Sequence, residues 1–286
     1  MTLRGFHRIS EIEFGQILFL SLTTAQQKQT TLNMYTKITG FIIALLVMVS
    51  CKSEKKDETD SWRTKKAAVE NATHNQLLDV EKEQGWELLF DGETMDGWHL
   101  YNDPNADSVW EVVDGELHSN ANDESLTAGD LVSDKSYSNY ELLLEWKISG
   151  NGNSGIFINV QELPQVPTAW QSGPEYQILG ADHMDYDVPE KRPGCLYVFL
   201  PQQNTVEVKQ GEWNKTRIKQ VDGKIEFYLN GVLTAEEDLS SPKWEQKIAE
   251  THFSKYPEFG KTTEGKIALQ YWYFETWFRN IKIREL

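Results

Sequence analysis

The sequence is short of basic residues and of cysteine. It has 28 Lys and Arg residues against 44 Asp and Glu residues, which gives a formal net charge of -16 at pH 7. Such an acidic chain argues against nucleic acid as a partner, because phosphate backbones are bound by basic surfaces, and it fits a neutral ligand better. The two cysteines are Cys51 and Cys195, so there is no disulfide framework if either thiol is committed elsewhere.

Common cofactor and catalytic motifs are also missing. The sequence has no glycine-rich phosphate loop, no Cys/His zinc spacing and no nucleophile elbow. One acidic loop, with Asp182, His183, Asp185 and Asp187, makes a divalent metal conceivable, since Asp and His both ligate metals. Its spacing matches no standard site, so we predict no cofactor and no metal ligands. The alternative to metal binding is that His183 is merely an exposed loop residue, although it is also a candidate base.

Long apolar runs are absent except for residues 40–50, GFIIALLVMVS, which are too few to span a bilayer as a stable helix. This run has the length of the apolar region of a signal peptide. With Cys51 after it, the segment resembles a bacterial lipoprotein processing site, although Leu is commoner where Met48 stands. We predict a signal peptide over 34–50 with lipidation of Cys51. A signal anchor, or cleavage elsewhere, is the alternative.

Met34 makes a better start than Met1, because the stretch from Met34 to the apolar run is short and basic, as in a signal peptide. Residues 1–33 then have no identifiable role, and we interpret them as an extension from a mis-assigned start. Residues 51–84 are highly charged and are predicted to be a solvated tether with a short helix within 65–84. The predicted location is the cell envelope, with the lipid anchored in the outer membrane and the domain periplasmic or surface-exposed.

From residue 85 onward the pattern is that of β-strands. Aromatic residues make up 12 % of the chain, and residues 139–149 alternate, with Leu142, Leu144, Trp146 and Ile148 on one face. Asp114-Gly115, Asp222-Gly223 and Asn230-Gly231 are hairpin dipeptides. The pattern predicts an all-β sandwich of two antiparallel sheets, with one helix near 243–250. The predicted strands cover 86–90, 109–113, 115–119, 129–133, 139–149, 155–160, 174–179, 195–200, 213–221, 224–231, 266–272 and 277–286.

Several polar residues stand where a packing strand would not need them. Glu175 and Gln177 are two apart and therefore share one face of a strand, with Tyr176 and Ile178 on the other. A carboxylate beside an amide suits sugar hydroxyls, which need both acceptors and donors. The alternative is that these residues simply lie on a solvent-exposed face of the sheet. Residues 152–155, GNSG, are predicted to form a tight turn, which explains them without a ligand.

A dense aromatic segment, residues 270–277, precedes Arg279. Half of these rings are expected in the core, and the others are candidates for stacking on sugars. Arg279 is a candidate partner for a carboxylate. The residues predicted to contact a sugar are Glu145, Asn153, Ser154, Gln177, Asp182, Tyr197, Gln270, Trp272 and Arg279.

A family resemblance joins these pieces. In order, the chain reads GWELLFDGETMDGWHLY, W-x-V-x-DGEL, GDLVSDKSYSNYELLLEWKI, GNSGIF, PEYQIL, GEWNKTRI, LNG and WFRNIKIREL. Over residues 85–286 this resembles the 3-keto-disaccharide hydrolase domain family. The resemblance implies a concanavalin A-like jelly roll and a carbohydrate ligand. It also implies cleavage of glycosides oxidised at C3, in which a base removes the C2 proton and the glycosidic oxygen leaves by elimination.

The roles implied are a base, an acid and a stabiliser of the enolate oxygen. Glu175 and His183 are the catalytic candidates, and Gln177, Asn153 or Arg279 is expected near the oxyanion. Many members of the family read LQDHG where this chain reads LQYWYFET, so Tyr271 and Trp272 replace an Asp and a His. If that histidine is catalytic, His183 or His252 must replace it.

Three hypotheses follow: a hydrolase of 3-keto-glycosides, a non-catalytic carbohydrate-binding lipoprotein of the same fold, and a structural surface protein. The carboxylate run of laminarinase-type enzymes, E-x-D-x-x-E, is absent at Glu175 to Gly180, which excludes their double-displacement mechanism.

Overall fold

The computed structural model describes residues 74–122 and 124–286, which belong to one compact unit. The predictions on the start codon, the signal peptide, Cys51 and most of the tether fall outside the described residues. Within those residues, no helix has the length and apolar character needed to cross a membrane.

Strands dominate the described part of the chain, as the alternating pattern predicts. They are β1 (Glu87–Leu88), β2 (Trp98–Leu100), β3 (Trp110–Val113), β4 (Glu116–Ser119), β5 (Leu131–Tyr137), β6 (Tyr140–Ile148), β7 (Asn153–Val160), β8 (Glu175–Leu179), β9 (Asn214–Val221), β10 (Lys224–Leu229), β11 (Val232–Asp238), β12 (Gly265–Leu269) and β13 (Thr276–Glu285). The helices are α1 (Asp79–Glu83), α2 (Pro242–Ala249) and 3₁₀ turns at Ala169–Gln171, Pro189–Lys191 and His252–Lys255.

The strands form two antiparallel sheets, and the fold is the predicted concanavalin A-like jelly-roll sandwich. One sheet has the order β11-β10-β9-β6-β13-β4-β3, with β1 paired to β13. The other has the order β2-β5-β12-β7-β8, so β8 is an edge strand. That edge is where the polar residues singled out above lie.

The core lies between the sheets and is built by strand alternation. The predicted inner face of β6 is buried, and Trp146 is 0 % exposed with its indole N–H donating to Thr216 Oγ1 at 2.9 Å. Full burial of the leucines on the same face, Leu142 and Leu144, contributes about 1.5–3 kcal/mol each. The predicted hairpin dipeptides are confirmed as well, since Asp114, Asp222 and Asn230 all have positive φ and each is followed by a glycine with positive φ.

Some predicted elements are wrong. Residues 195–200 are not a strand: Leu196 makes one bridge to Tyr176, and Val198 then turns the chain away with a φ of 70°. Their apolar character reflects burial, as predicted for Cys195, but burial does not by itself specify a strand. The predicted strand 266–272 ends at Leu269. Strands β2 and β11 were not predicted.

The folded unit begins before the predicted boundary at residue 85. Asn75 is buried, and its backbone N–H donates to Asn280 Oδ1 at 2.7 Å. The Asn75 side chain accepts the Asn280 N–H at 2.8 Å and donates to the Gly115 carbonyl at 2.7 Å. The short helix α1, the described part of the helix predicted within 65–84, is held to β13 by a pair between Lys282 and Glu81. The last residues of the predicted tether are therefore part of the sandwich.

Candidate functional site

The outer face of the five-stranded sheet carries the candidate site. Glu175 and Gln177 lie on this face, as the two-residue spacing predicts, and Tyr176 and Ile178 are fully buried in the core. Gln177 lies opposite Gly155 on β7. A Cβ on Gly155 would come within 2.2 Å of Glu175 Oε1, so the glycine leaves the space that the carboxylate occupies. Small size rather than turn conformation is the reason for glycine here.

A first cavity of about 190 Å³ opens above these residues. Its floor is polar and comes from the sheet, while its walls are aromatic and come from loops and 3₁₀ turns. Trp170 is wedged edge-on against Tyr256, with ring centroids 4.7 Å apart, which fixes one wall. The cavity is lined by Asn153, Trp170, Glu175, Gln177, Tyr197, His252, Phe253, Gln270 and Trp272.

Two amide oxygens in this cavity have no partner in the described part of the chain. Gln177 Nε2 donates to Asn153 Oδ1 at 3.2 Å, but Gln177 Oε1 is buried and unpaired. Gln270 is held by its backbone, donating to the Gly155 carbonyl at 2.9 Å, and its Oε1 is likewise unpaired. An unpaired buried oxygen costs about 1–3 kcal/mol. Two residues that line the cavity therefore carry amide oxygens with unused acceptor capacity, which suits a ligand with hydroxyl donors.

Glu175 is an unusually weak acid. Burial raises the pKa of its carboxyl well above the ordinary value, and the negative charge of Asp130 raises the pKa further. The edge of β8 at Glu175 is covered by the coil after Gly194, whose Tyr197 N–H donates to the Glu175 carbonyl at 3.1 Å. This coil closes the side of the cavity that an uncovered edge strand would leave open.

A second cavity, of about 230 Å³, adjoins the first. The two share Trp170, Gln270 and Trp272 as a common wall. Asp130 lies in the second cavity, and its Oδ1 accepts the Tyr271 N–H at 3.0 Å. Burial raises the pKa of Asp130 to about 7, although hydrogen bonds from the Tyr271 and Ala169 backbones oppose the rise. The second cavity is lined by Tyr101, Ala128, Gly129, Asp130, Pro167, Thr168, Trp170, Gln270, Tyr271, Trp272 and Tyr273.

Two of the predicted sugar contacts lie on the other sheet. Glu145 is on β6 and Arg279 is on β13, where Arg279 Nε donates to Glu145 Oε2 at 2.8 Å. The guanidinium of Arg279 also lies 3.9 Å from the ring centroid of Trp213. The expectation that Arg279 lies near the oxyanion is therefore corrected: the arginine pairs with Glu145 and lines neither cavity.

The loop after β8 does not reach the cavities either. Asp182 is exposed and His183 partly exposed, and His183 Nδ1 accepts the Asp185 N–H at 3.1 Å. Asp185 pairs with Lys191 at 2.9 Å. Neither Asp182 nor His183 lines either of these two cavities, so their predicted place in this site is corrected. His252 supplies the imidazole of the first cavity. Among the described residues, no three His, Cys, Asp or Glu side chains gather as metal ligands would.

Ser154 is placed behind the site. It belongs to β7 rather than to the predicted tight turn, it is fully buried, and its Oγ donates to the Gln270 carbonyl at 2.8 Å. Ser154 therefore positions Gln270 instead of contacting the cavity. By contrast, Asn153, Tyr197 and Trp272 do line the first cavity, together with Gln177 and Gln270.

Sequence reasoning missed Asp130, Trp170, Thr168 and Phe253. Asp130 immediately precedes β5, and its contact with Tyr271 joins residues 141 positions apart. No local spacing reports a contact of that range. The only sequence signal was the position of Asp130 next to an apolar strand, in GDLVS. An aspartate at such a position is ordinarily exposed to solvent, so the signal is weak.

Fold and site together define a concanavalin A-like β-sandwich with a paired cavity on the outer face of one sheet. The sequence pattern of the 3-keto-alpha-glucoside-1,2-lyase-like domain matches residues 85–284, and the chain belongs to that family.

Individual relatives agree with this assignment. A 3-keto-disaccharide hydrolase from Bacteroides thetaiotaomicron is 28% identical over 278 residues, covering 85% of this chain and 96% of the relative. A crystal structure of a candidate glycosyl hydrolase from Parabacteroides distasonis has a TM-score of 0.68 at 29% identity, covering 75% of this chain and 100% of the other. A second from the same organism has a TM-score of 0.53 at 28% identity, covering 70% and 99%. This kinship supports a glycoside hydrolase-like role.

Proposed function

We propose that this protein cleaves glycosides that carry a ketone at C3, with the oxidised sugar bound in the first cavity. The observation that carries the proposal is the buried carboxylate of Glu175 beside the unpaired amide oxygens of Gln177 and Gln270. Sugar hydroxyls donate to such oxygens, and sugar rings pack on the aromatic walls formed by Trp170 and Trp272. The names of the relatives point to the same substrate class.

In the proposed reaction Glu175 is the base. The C3 ketone acidifies the C2 proton, Glu175 takes it, and an enolate forms. The enolate electrons then form the C1–C2 double bond as the C1–oxygen bond breaks, and water later adds across that double bond. Because burial raises the pKa of Glu175, its ionised form is a stronger base than a carboxylate in water.

Two further groups complete the proposed site. Gln177 Nε2 donates to Asn153 and has a second N–H, which we assign to the enolate oxygen. His252, on the cavity wall, is assigned to protonate the leaving oxygen. It replaces the histidine that the resemblance places at residue 272, where this chain has Trp272.

The test is release of sugar from a 3-keto-disaccharide by the purified chain, with and without a chelator. Glu175→Gln should lower kcat/KM by about 10²–10⁴-fold, because the base is lost while shape is kept. The matched control is Glu236→Gln, an exposed carboxylate on β11. Unchanged turnover in Glu175→Gln would refute the assignment of the base. Loss of turnover with chelator would bring a metal into the mechanism.

A non-catalytic carbohydrate-binding protein is the second candidate. It is favoured by Trp272, a half-exposed ring on the wall of both cavities, which is a binding rather than an acid–base group. If calorimetry detects binding of a disaccharide while no 3-keto substrate is turned over, this candidate replaces the first.

We also propose that Cys51 is lipidated and anchors the protein in the outer membrane. The test is detergent phase partition of cell extracts. The wild-type protein should enter the detergent phase and Cys51→Ser the aqueous phase. Equal partition of the two proteins would contradict the anchor.

A further inference from the structure

The second cavity has no role in the proposed chemistry, yet it adjoins the first across Trp170, Gln270 and Trp272. The first cavity, about 190 Å³, is small for a ligand pocket, and the second is about 230 Å³. Pockets for small organic ligands usually measure about 300–1,000 Å³, a range that neither cavity reaches alone and the pair does. The size of the site therefore indicates a ligand with two parts.

Three polar residues that line the second cavity have unused hydrogen-bonding capacity. Thr168 Oγ1 is buried with no hydrogen-bond partner among the described residues, and Gln270, whose Oε1 is also unpaired, lines both cavities. Asp130 accepts from the backbones of Tyr271 and Ala169, and a carboxyl group with two donors still has acceptor capacity left. These groups are an amide oxygen, a carboxyl group and a hydroxyl, which is the complement of a ring bearing several hydroxyls.

Aromatic rings supply the apolar part of the same cavity. Tyr271 and Tyr273 lie with ring centroids 5.3 Å apart, and Trp272 and Tyr273 with centroids 6.4 Å apart. Tyr273 is 71% exposed and is held at a φ of 61°, so the loop turns its rings around the cavity instead of continuing β12 into the sheet. The segment that departs from the family pattern thus builds the wall of this cavity.

We propose that the second cavity is the subsite for the second sugar ring of a disaccharide, the ring that departs, with Asp130 and Thr168 as its polar contacts. The oxidised ring then lies beside Glu175, and the glycosidic oxygen lies near Trp272 between the two cavities. This proposal rests on the proposed function for the naming of the two rings. The existence of a two-ring site does not depend on turnover.

The experiment compares two substrates that share the oxidised ring: a 3-keto-disaccharide and the methyl 3-keto-glycoside, which has no second ring. In the full chain, Thr168→Val removes one hydroxyl at nearly constant volume. The ratio of kcat/KM for the disaccharide over the methyl glycoside should fall about five- to tenfold, the effect of one lost hydrogen bond. Asp130→Asn should lower the ratio as well, and exposed Asp96→Asn is the matched control.

An unchanged ratio in both Thr168→Val and Asp130→Asn would overturn the subsite. Should neither substrate be cleaved, the proposed function fails, and calorimetry with the unoxidised disaccharide and its methyl glycoside still decides the subsite. Tighter binding of the disaccharide by the wild-type chain, with that advantage reduced in Thr168→Val, supports it. Equal affinity of the wild-type chain for the two ligands refutes it.

Discussion

The carboxylate of Glu175 occupies the space above Gly155 on the neighbouring strand. A Cβ at Gly155 would lie 2.2 Å from Glu175 Oε1 and 2.9 Å from Cγ and Cδ. The backbone of Gly155 is ordinary β-strand and would accept alanine, and the three atoms nearest to the added methyl group all belong to Glu175. The position of the proposed base, Glu175, therefore depends on residue 155 of the neighbouring strand having no side chain.

Gly155→Ala should displace Glu175 while leaving the sandwich folded. We expect kcat/KM to fall about 10–100-fold, because small misplacement of a catalytic group is costly. A double-mutant cycle with Glu175→Gln tests the cause. Adding Gly155→Ala to Glu175→Gln should have little further effect, and fully additive losses would show that Gly155 acts by another route.

Asp130 makes stability depend on pH. Its pKa is raised from 3.8 to about 7 by burial, so the folded state holds a proton that the unfolded state releases between these values. Stability is therefore lost as the pH rises through this window. Because each pKa unit corresponds to about 1.4 kcal/mol, the advantage of Asp130→Asn over wild type in the free energy of unfolding should grow by about 3–4 kcal/mol between pH 4 and pH 8. Denaturant titrations at both pH values measure this gain, with Asp96→Asn as a control that should show no gain.

Trp272 is 48% exposed and lines both cavities, so its role is expected in binding rather than in folding. Trp272→Ala should raise the Kd for a disaccharide about three- to tenfold, through loss of a stacking surface. The melting temperature should hardly change, since a half-exposed side chain contributes little to the core. Met184→Ala, at a side chain 90% exposed and outside both cavities, is the matched control. An unchanged Kd would remove Trp272 from the binding site.

Asn75 fastens the N-terminal segment to the sandwich. Asn75→Ala removes its bonds to the Asn280 N–H and the Gly115 carbonyl, leaving both groups without this partner. We expect a loss of about 2–4 kcal/mol in the free energy of unfolding, with kcat of the folded protein unchanged. His74→Ala, at the exposed neighbour, should cost far less. Chemical denaturation of the two variants distinguishes these outcomes, and equal stability would show that the Asn75 side chain does not hold the segment to the sandwich.

Most of the strands, and the face that each of their side chains takes, follow from the sequence pattern alone. Alternation along β6 and β8 fixed which side chains enter the core, because successive residues of a strand point to opposite faces. The dipeptides at Asp114, Asp222 and Asn230 fixed three hairpins, because their positive φ is a local requirement. Alternation likewise put Glu175 and Gln177 on one face. These are short-range properties, and a single chain displays them.

Which polar residues meet is settled by long-range packing. Glu145 and Arg279, candidates for the sugar site by residue type, pair with each other on the opposite sheet. Asp130 comes to Tyr271 across 141 residues, and Trp170 and His252 arrive on separate 3₁₀ turns. Strand periodicity specifies a face but not the neighbouring strand or the loop above it. Those depend on the order of strands in the sheet and on packing, which couple residues far apart in the chain.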